Sequence, residues 1–209
     1  MLGGPPGSFL NVFKDYPYFN CSEILNQYCL ITMGYHLGGC FPLLYHVKKS
    51  DYLEMSLHHM SCLFCYFSCY MINLPGLICV VNFLHDIADI SINIARVLSE
   101  STFRYSCAVI FTLNCFVWAY TRLYVLPQLV YVIFYEAKEF AGPMLHVEFL
   151  YILAFLQSCL ICLHAYWLTM FIQILISFSK HGKAEDAINK TETQSVTANK
   201  KWNQIRLFG

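Results

Sequence analysis

The sequence predicts an all-α polytopic membrane protein with about five transmembrane helices, and three observations carry that prediction. Hydrophobic residues make up 57% of the 209-residue chain and charged residues only 12%, where a soluble domain averages about 25% charged. Mean hydropathy is +0.49, and aromatic residues reach 17%, which suits rings at lipid interfaces. Five apolar stretches each approach the ~20 residues that a helix needs to cross the hydrocarbon layer. Thirteen basic and thirteen acidic side chains cancel; a nucleic-acid partner, which needs a basic excess, is excluded.

The first span is read over Ile24–Val47 and the second over Leu53–Ile72, which stops at Asn73-Leu74-Pro75-Gly76. That tetrapeptide is turn chemistry, so the third span, Leu77–Ala95, should run antiparallel to the second. The fourth, Tyr105–Tyr135, is long enough to cross with a tilt or a kink near Pro127. The fifth is His146–Phe178. Residues 1–23 form a segment before the first span, with no charged start followed by an apolar run, hence no cleavable signal. From residue 179 the chain turns polar, and residues 179–209 read as a solvated, disordered tail.

Basic residues set the orientation. Lys48 and Lys49, Arg96 and Arg104, and Lys180 and Lys183 all fall on one side, taken as the cytosol; Lys138 on the other side is offset by two glutamates. The N-terminus is then lumenal and the C-terminus cytosolic. Eleven cysteines, an odd number mostly inside apolar runs, read as packed thiols and not a disulfide framework. Cys62/Cys65 and Cys159/Cys162 have CxxC spacing amid leucine and phenylalanine, which favours packing over zinc or redox chemistry. Of two glycosylation acceptors, Asn20-Cys21-Ser22 is on the lumenal side and Asn189-Lys190-Thr191 is not.

Polar groups at membrane depth carry the functional signal, because a charge at mid-bilayer costs at least ~2.5–3.5 kcal/mol. The second span holds His58 and His59; the third holds Asn82, His85, Asp86 and Asp89; the fourth holds Asn114 and Arg122; the fifth holds Gln157 and His164. Asn82, Asp86 and Asp89 share one helix face by i+4 and i+3 spacing, and His85 and Asp89 are also i,i+4. Counted from the turn, the histidine pair and the carboxylates lie at depths within one or two helical turns, so a carboxylate can pair with an imidazole. Such an imidazole could serve as a base toward an amine or hydroxyl, or as an acyl acceptor itself. The plainer reading is an interhelical hydrogen-bond network that ties the bundle together. The eight histidines form no HxxxH or HxxHH box, so no metal is expected.

Lys48-Lys49-Ser50-Asp51-Tyr52, His58-His59, the turn ending at Gly76 and His85-Asp86-Ile87-Ala88-Asp89 together resemble the Lag1 motif of the ceramide synthases. These belong to the TRAM–Lag1–CLN8 (TLC) domain family. Asp15-Tyr16-Pro17, Thr121-Arg122-Leu123 with Pro127, Gly142-Pro143 and Leu163–Leu168 extend the resemblance over about residues 15–180. It implies a TLC-type helical bundle in residues 24–178 and a multi-pass enzyme of the endoplasmic reticulum membrane. Such an enzyme moves a fatty acyl group from acyl-CoA, a co-substrate and not a tightly bound cofactor, to a sphingoid base. Carried over, His58 and His59 are the catalytic pair, Asp86 and Asp89 orient and charge-balance it, and His85, Asn82 and Arg122 support it. The acyl chain would lie in a cavity of the bundle. Against the resemblance, Leu74 stands where an arginine is usual, and the sequence given starts just before what would be the family's third span, as expected of a fragment, a short isoform or a degenerate relative; a second copy or a partner helix is the expected means of closing the barrel. The alternative is a non-catalytic TLC-fold protein, a lipid-binding or structural subunit of a membrane assembly.

Overall fold

The computed structural model describes residues 8–13, 16, 18–45, 52–99, 104–137 and 147–181. Lys48, Lys49, Lys138, Lys183, Gly142-Pro143, Asn189 and the tail from residue 182 lie outside the described residues, as do the side chains of Arg96, Arg104 and Lys180; residues 179–181, read as the start of the disordered tail, are instead the end of the last helix. Helices α1 (Glu23–Tyr45), α2 (Tyr52–Met71) and α3 (Pro75–Ser99) come first. Helix α4 (Arg104–Trp118) runs on through a π-helical stretch (Ala119–Val125), α5 (Leu126–Tyr131) and a second π-helical stretch (Val132–Glu136), forming one rod. The last helix is α6 (Val147–His181). Five rods, and no strand among the described residues, give the all-α membrane fold expected from composition.

Three of the five rods combine spanning length with sustained apolarity: Pro75–Ala95, Tyr105–Glu136 and Glu148–Ser179. Helices α1 and α2, 23 and 20 residues long, have the length of a crossing but a diluted apolar character. The dilution comes from Asn26, Gln27 and His36 on α1 and from Glu54, Ser56, His58, His59 and Ser61 on α2. Much of that polarity faces the interior described below. Outward faces are apolar where lipid would lie, as at Phe83, Phe116, Phe155 and Ile176. Helix α6, at 35 residues, is about 52 Å long and exceeds a ~30 Å hydrocarbon layer.

The α2–α3 connection is built by its sequence. Asn73 adopts φ 59°, a left-handed conformation that asparagine tolerates better than most residues. Its Nδ2 donates to the Phe19 carbonyl at 3.0 Å, so the turn is tied to the segment before α1. Pro75 opens α3 at the position where a missing N–H costs nothing. Leu74 is 2% exposed within the apolar core; the residue that departs from the family's arginine is a packing residue here. Gly76 lies against Val12, a Cβ there coming within 3.6 Å of Val12 Cγ1. Val12 and Phe13, in the short 3-10 turn Phe9–Phe13, are themselves buried, so part of the leading segment packs on this end of the bundle.

Near Pro127, where a tilt or a kink is expected, the rod contains π-helix. Proline cannot donate to the carbonyl four residues back and crowds it. The wider turns of Ala119–Val125 directly precede Pro127. Within them Arg122 and Thr121 turn inward and are buried.

Candidate functional site

Consecutive residues on a helix project about 100° apart, and His58 and His59 accordingly face different neighbours. The His58 ring points into the bundle, with centroids 5.9 Å from His85, 5.5 Å from His164 and 5.3 Å from Trp167. Its Nε2 lies 3.7 Å from the Cys62 sulfur one turn along α2. His59 turns toward α1. A Cβ on Gly39 would come within 3.0 Å of His59 Cε1, so the ring rests where α1 carries no side chain. His36, also on α1, has its ring centroid 6.3 Å from that of His59.

Beneath His58 runs a chain of hydrogen bonds whose proton positions follow from donor rules. The Val81 carbonyl can only accept, so His85 Nδ1, 2.7 Å away, carries a proton. Neutral His85 then accepts at Nε2, and the donor must be His164 Nε2, 3.1 Å away. His164 Nδ1 is thereby left as an acceptor facing Arg122 Nη1 at 3.5 Å. The guanidinium can only donate, so the series Arg122, His164, His85, Val81 is directionally consistent with both imidazoles neutral. His85 and His164 are 4% and 0% exposed, and neutrality spares both the cost of a buried charge.

Arg122 is the hub. It is 2% exposed, donates to Asp89 Oδ1 at 2.6 Å and to the His85 carbonyl at 3.0 Å. Its guanidinium carbon lies 3.7 Å from the centre of the Trp118 ring, a cation–π geometry. Trp118 in turn donates from Nε1 to the His164 carbonyl at 3.1 Å, which locks α4 to α6.

The carboxylates differ from the expected arrangement. Asp89 ion-pairs with Arg122, while Asp86 accepts from Asn82 Nδ2 at 2.7 Å; Asn82 also meets the Tyr28 hydroxyl at 2.5 Å. The direct contacts of His58 are rings and a thiol. A carboxylate is held best by a guanidinium, and Asp89 is held by Arg122 with His59 also in coulombic range. His58, His59, His85, Asp89, Asn82 and Arg122 are gathered about the α2–α3–α4 contact, with Asp86 at its edge.

Four participants escaped the sequence-derived set. His164 has the signal of a polar residue at depth, but nothing in its local spacing ties it to His85, 79 positions away. His36 has the same signal in a run of apolar and glycine residues. Trp118 and Trp167 read as ordinary core aromatics.

The fold and this buried polar centre define an integral membrane protein of helical-bundle type with acid–base groups at membrane depth. The TLC domain pattern matches residues 5–173, and the chain belongs to the TLC-domain family. It is similar to ceramide synthase 4 of Mus musculus, 29% identical over 178 residues, covering 84% of this chain and 44% of that protein. The Homo sapiens ceramide synthase 4 is 28% identical over 181 residues, 86% of this chain and 45% of the relative. A sphingosine N-acyltransferase of Schizosaccharomyces pombe, lag1, is 24% identical over 131 residues, 63% and 34% of the two chains. The chain thus spans less than half the length of these curated relatives.

Proposed function

We propose that the chain carries the catalytic centre of a sphingoid-base N-acyltransferase, joining a fatty acyl group from acyl-CoA to the amine of sphinganine or sphingosine. The observation that carries this reading is a pair of adjacent histidines that face two sides of α2, His58 packed over the hydrogen-bonded rings of His85 and His164 and His59 against α1. The names of the similar proteins support the same chemistry. In the reaction the amine nitrogen attacks the thioester carbonyl, the C–N bond forms and the C–S bond breaks. One histidine takes the amine proton and returns it to the departing thiolate. His59 suits that role because its Nδ1 has no hydrogen-bond partner. His58, held among rings, suits either transient acyl acceptance or orientation of the thioester. Asp89 and Arg122 fix the imidazoles beneath.

The basic residues on one side of the spans support a multi-pass protein with a cytosolic C-terminus, and the family resemblance supports the endoplasmic reticulum membrane as its place. The test is the folded chain in lipid nanodiscs, given palmitoyl-CoA and then longer acyl-CoAs with sphinganine. Dihydroceramide and free CoA in equal amounts are expected; folded protein that yields neither across chain lengths overturns the reading. Gly39→Ala supplies a related expectation. Alanine gains roughly 1 kcal/mol of helix propensity over glycine, yet its Cβ displaces the His59 ring. The melting temperature should hold or rise while the rate of amide formation falls, measured on one preparation.

A further inference from the structure

We propose that His36, His59 and Tyr66 form a polar subsite between α1 and α2 that takes the head group of the amine substrate, a primary amine flanked by hydroxyls. The proposal rests on the N-acyltransferase reading above and adds where the acceptor binds.

Buried polar atoms in folded proteins nearly always have hydrogen-bond partners. Here Nδ1 of His59 and the hydroxyl of Tyr66 have none, and the ring nitrogens of His36 have none of good geometry, with the Asn82 side chain within reach. His36 is 8% exposed and Tyr66 1%. The three side chains are adjacent: the His36 ring centroid is 4.8 Å from that of Tyr66 and 6.3 Å from that of His59. His59 and Tyr66 stand seven residues apart on one side of α2, about 10 Å along its axis, and His36 fills the interval from α1.

The chemistry of the vacant bonds selects the ligand. A neutral imidazole offers one donor and one acceptor, and a phenol offers both. An amino-diol presents the same mixture over a few bonds, whereas a thioester carbonyl or an acyl tail can only accept or offer nothing. His59 sits at the end of this set nearest the His58 side, so an amine held by it has the proton acceptor Nδ1 at hand. Asn82, close to His36, carries Asp86 at 2.7 Å, a carboxylate that attracts an incoming ammonium. The acyl donor is thereby assigned to the His58 side and the acceptor to the His36 side.

Initial rates of the full chain in nanodiscs, with sphinganine and palmitoyl-CoA varied in turn, test the assignment. Tyr66→Phe removes one oxygen and keeps the ring; His36→Leu removes both nitrogens; His36→Gln restores polarity. The KM for sphinganine should rise about tenfold in Tyr66→Phe and His36→Leu, the loss of a hydrogen bond at a buried group. The KM for palmitoyl-CoA should stay unchanged, and His36→Gln should recover part of the loss. If His36→Leu fails to fold, Tyr66→Phe decides alone. An unchanged KM for sphinganine, or equal rises for both substrates, overturns the subsite and leaves its polar atoms to water. Should the chain transfer no acyl group at all, the functional reading falls, and equilibrium binding of radiolabelled sphinganine separates the two ideas. Weaker binding in Tyr66→Phe than in the parent chain supports the subsite; equal binding overturns it.

Discussion

Alanine at His59 is expected to lower amide formation by about 10²–10⁴-fold, the range for a positioned proton acceptor, with the melting temperature nearly unchanged. The stability side follows from its surroundings: the ring is half-buried, leans on Gly39 and makes no hydrogen bond through Nδ1. Little that holds the bundle is removed with it. Added imidazole should restore part of the rate, since the vacated space lies beside a glycine. Alanine at His58 should lower the rate comparably but also destabilise by about 1–3 kcal/mol, because its ring fills the space among His85, His164 and Trp167. Product analysis beside thermal unfolding of the same preparations distinguishes the two. Equal stability losses would show that the histidines do not face different neighbours.

Arg122→Leu carries the larger structural effect. The substitution removes the donor to Asp89, to the His85 carbonyl and to His164. Asp89 has a side chain 52% exposed on a helix with the length and apolarity of a membrane span, so its charge depends on the guanidinium beside it. Removing the guanidinium beside that carboxylate costs up to about 3 kcal/mol, and His164 Nδ1 loses the donor it faces. Loss of most folded protein in detergent is expected. Arg122→Leu combined with Asp89→Asn should recover a large part of the stability, because the uncompensated charge goes with it. The double variant should remain inactive, since the guanidinium that ties His164 and the His85 carbonyl together is gone. Unfolding midpoints of parent, single and double variants give the coupling; strict additivity would mean that the ion pair holds nothing.

Much of this architecture was legible before any coordinates. Helix positions followed from apolar runs interrupted by turn residues, and the Asn73–Gly76 connection from its composition, because both are local signals. The pair His58-His59 and the His85–Asp89 cluster stood out because polar groups at membrane depth are costly. What stayed hidden depended on packing between distant segments. Nothing near Arg122 says that a π-helical stretch turns it toward Asp89, 33 positions earlier, and so the carboxylate was expected to face a histidine. His164 joins His85 only because α6, packed on α2 and α4, carries its ring against that of His85. On α1 and α2, His36 and His59 weaken the apolar signal of their helices for the same reason that they matter: they are turned toward one another between the two helices.

The central claim is that His58 and His59 carry amide formation from two sides of α2. It is tested most directly by quantifying dihydroceramide from palmitoyl-CoA and sphinganine with equal amounts of folded parent, His58→Ala and His59→Ala protein in nanodiscs. Product from the parent chain, and at most traces from either variant, is the expected result. Undiminished product from both variants, or none from the folded parent chain, would contradict it.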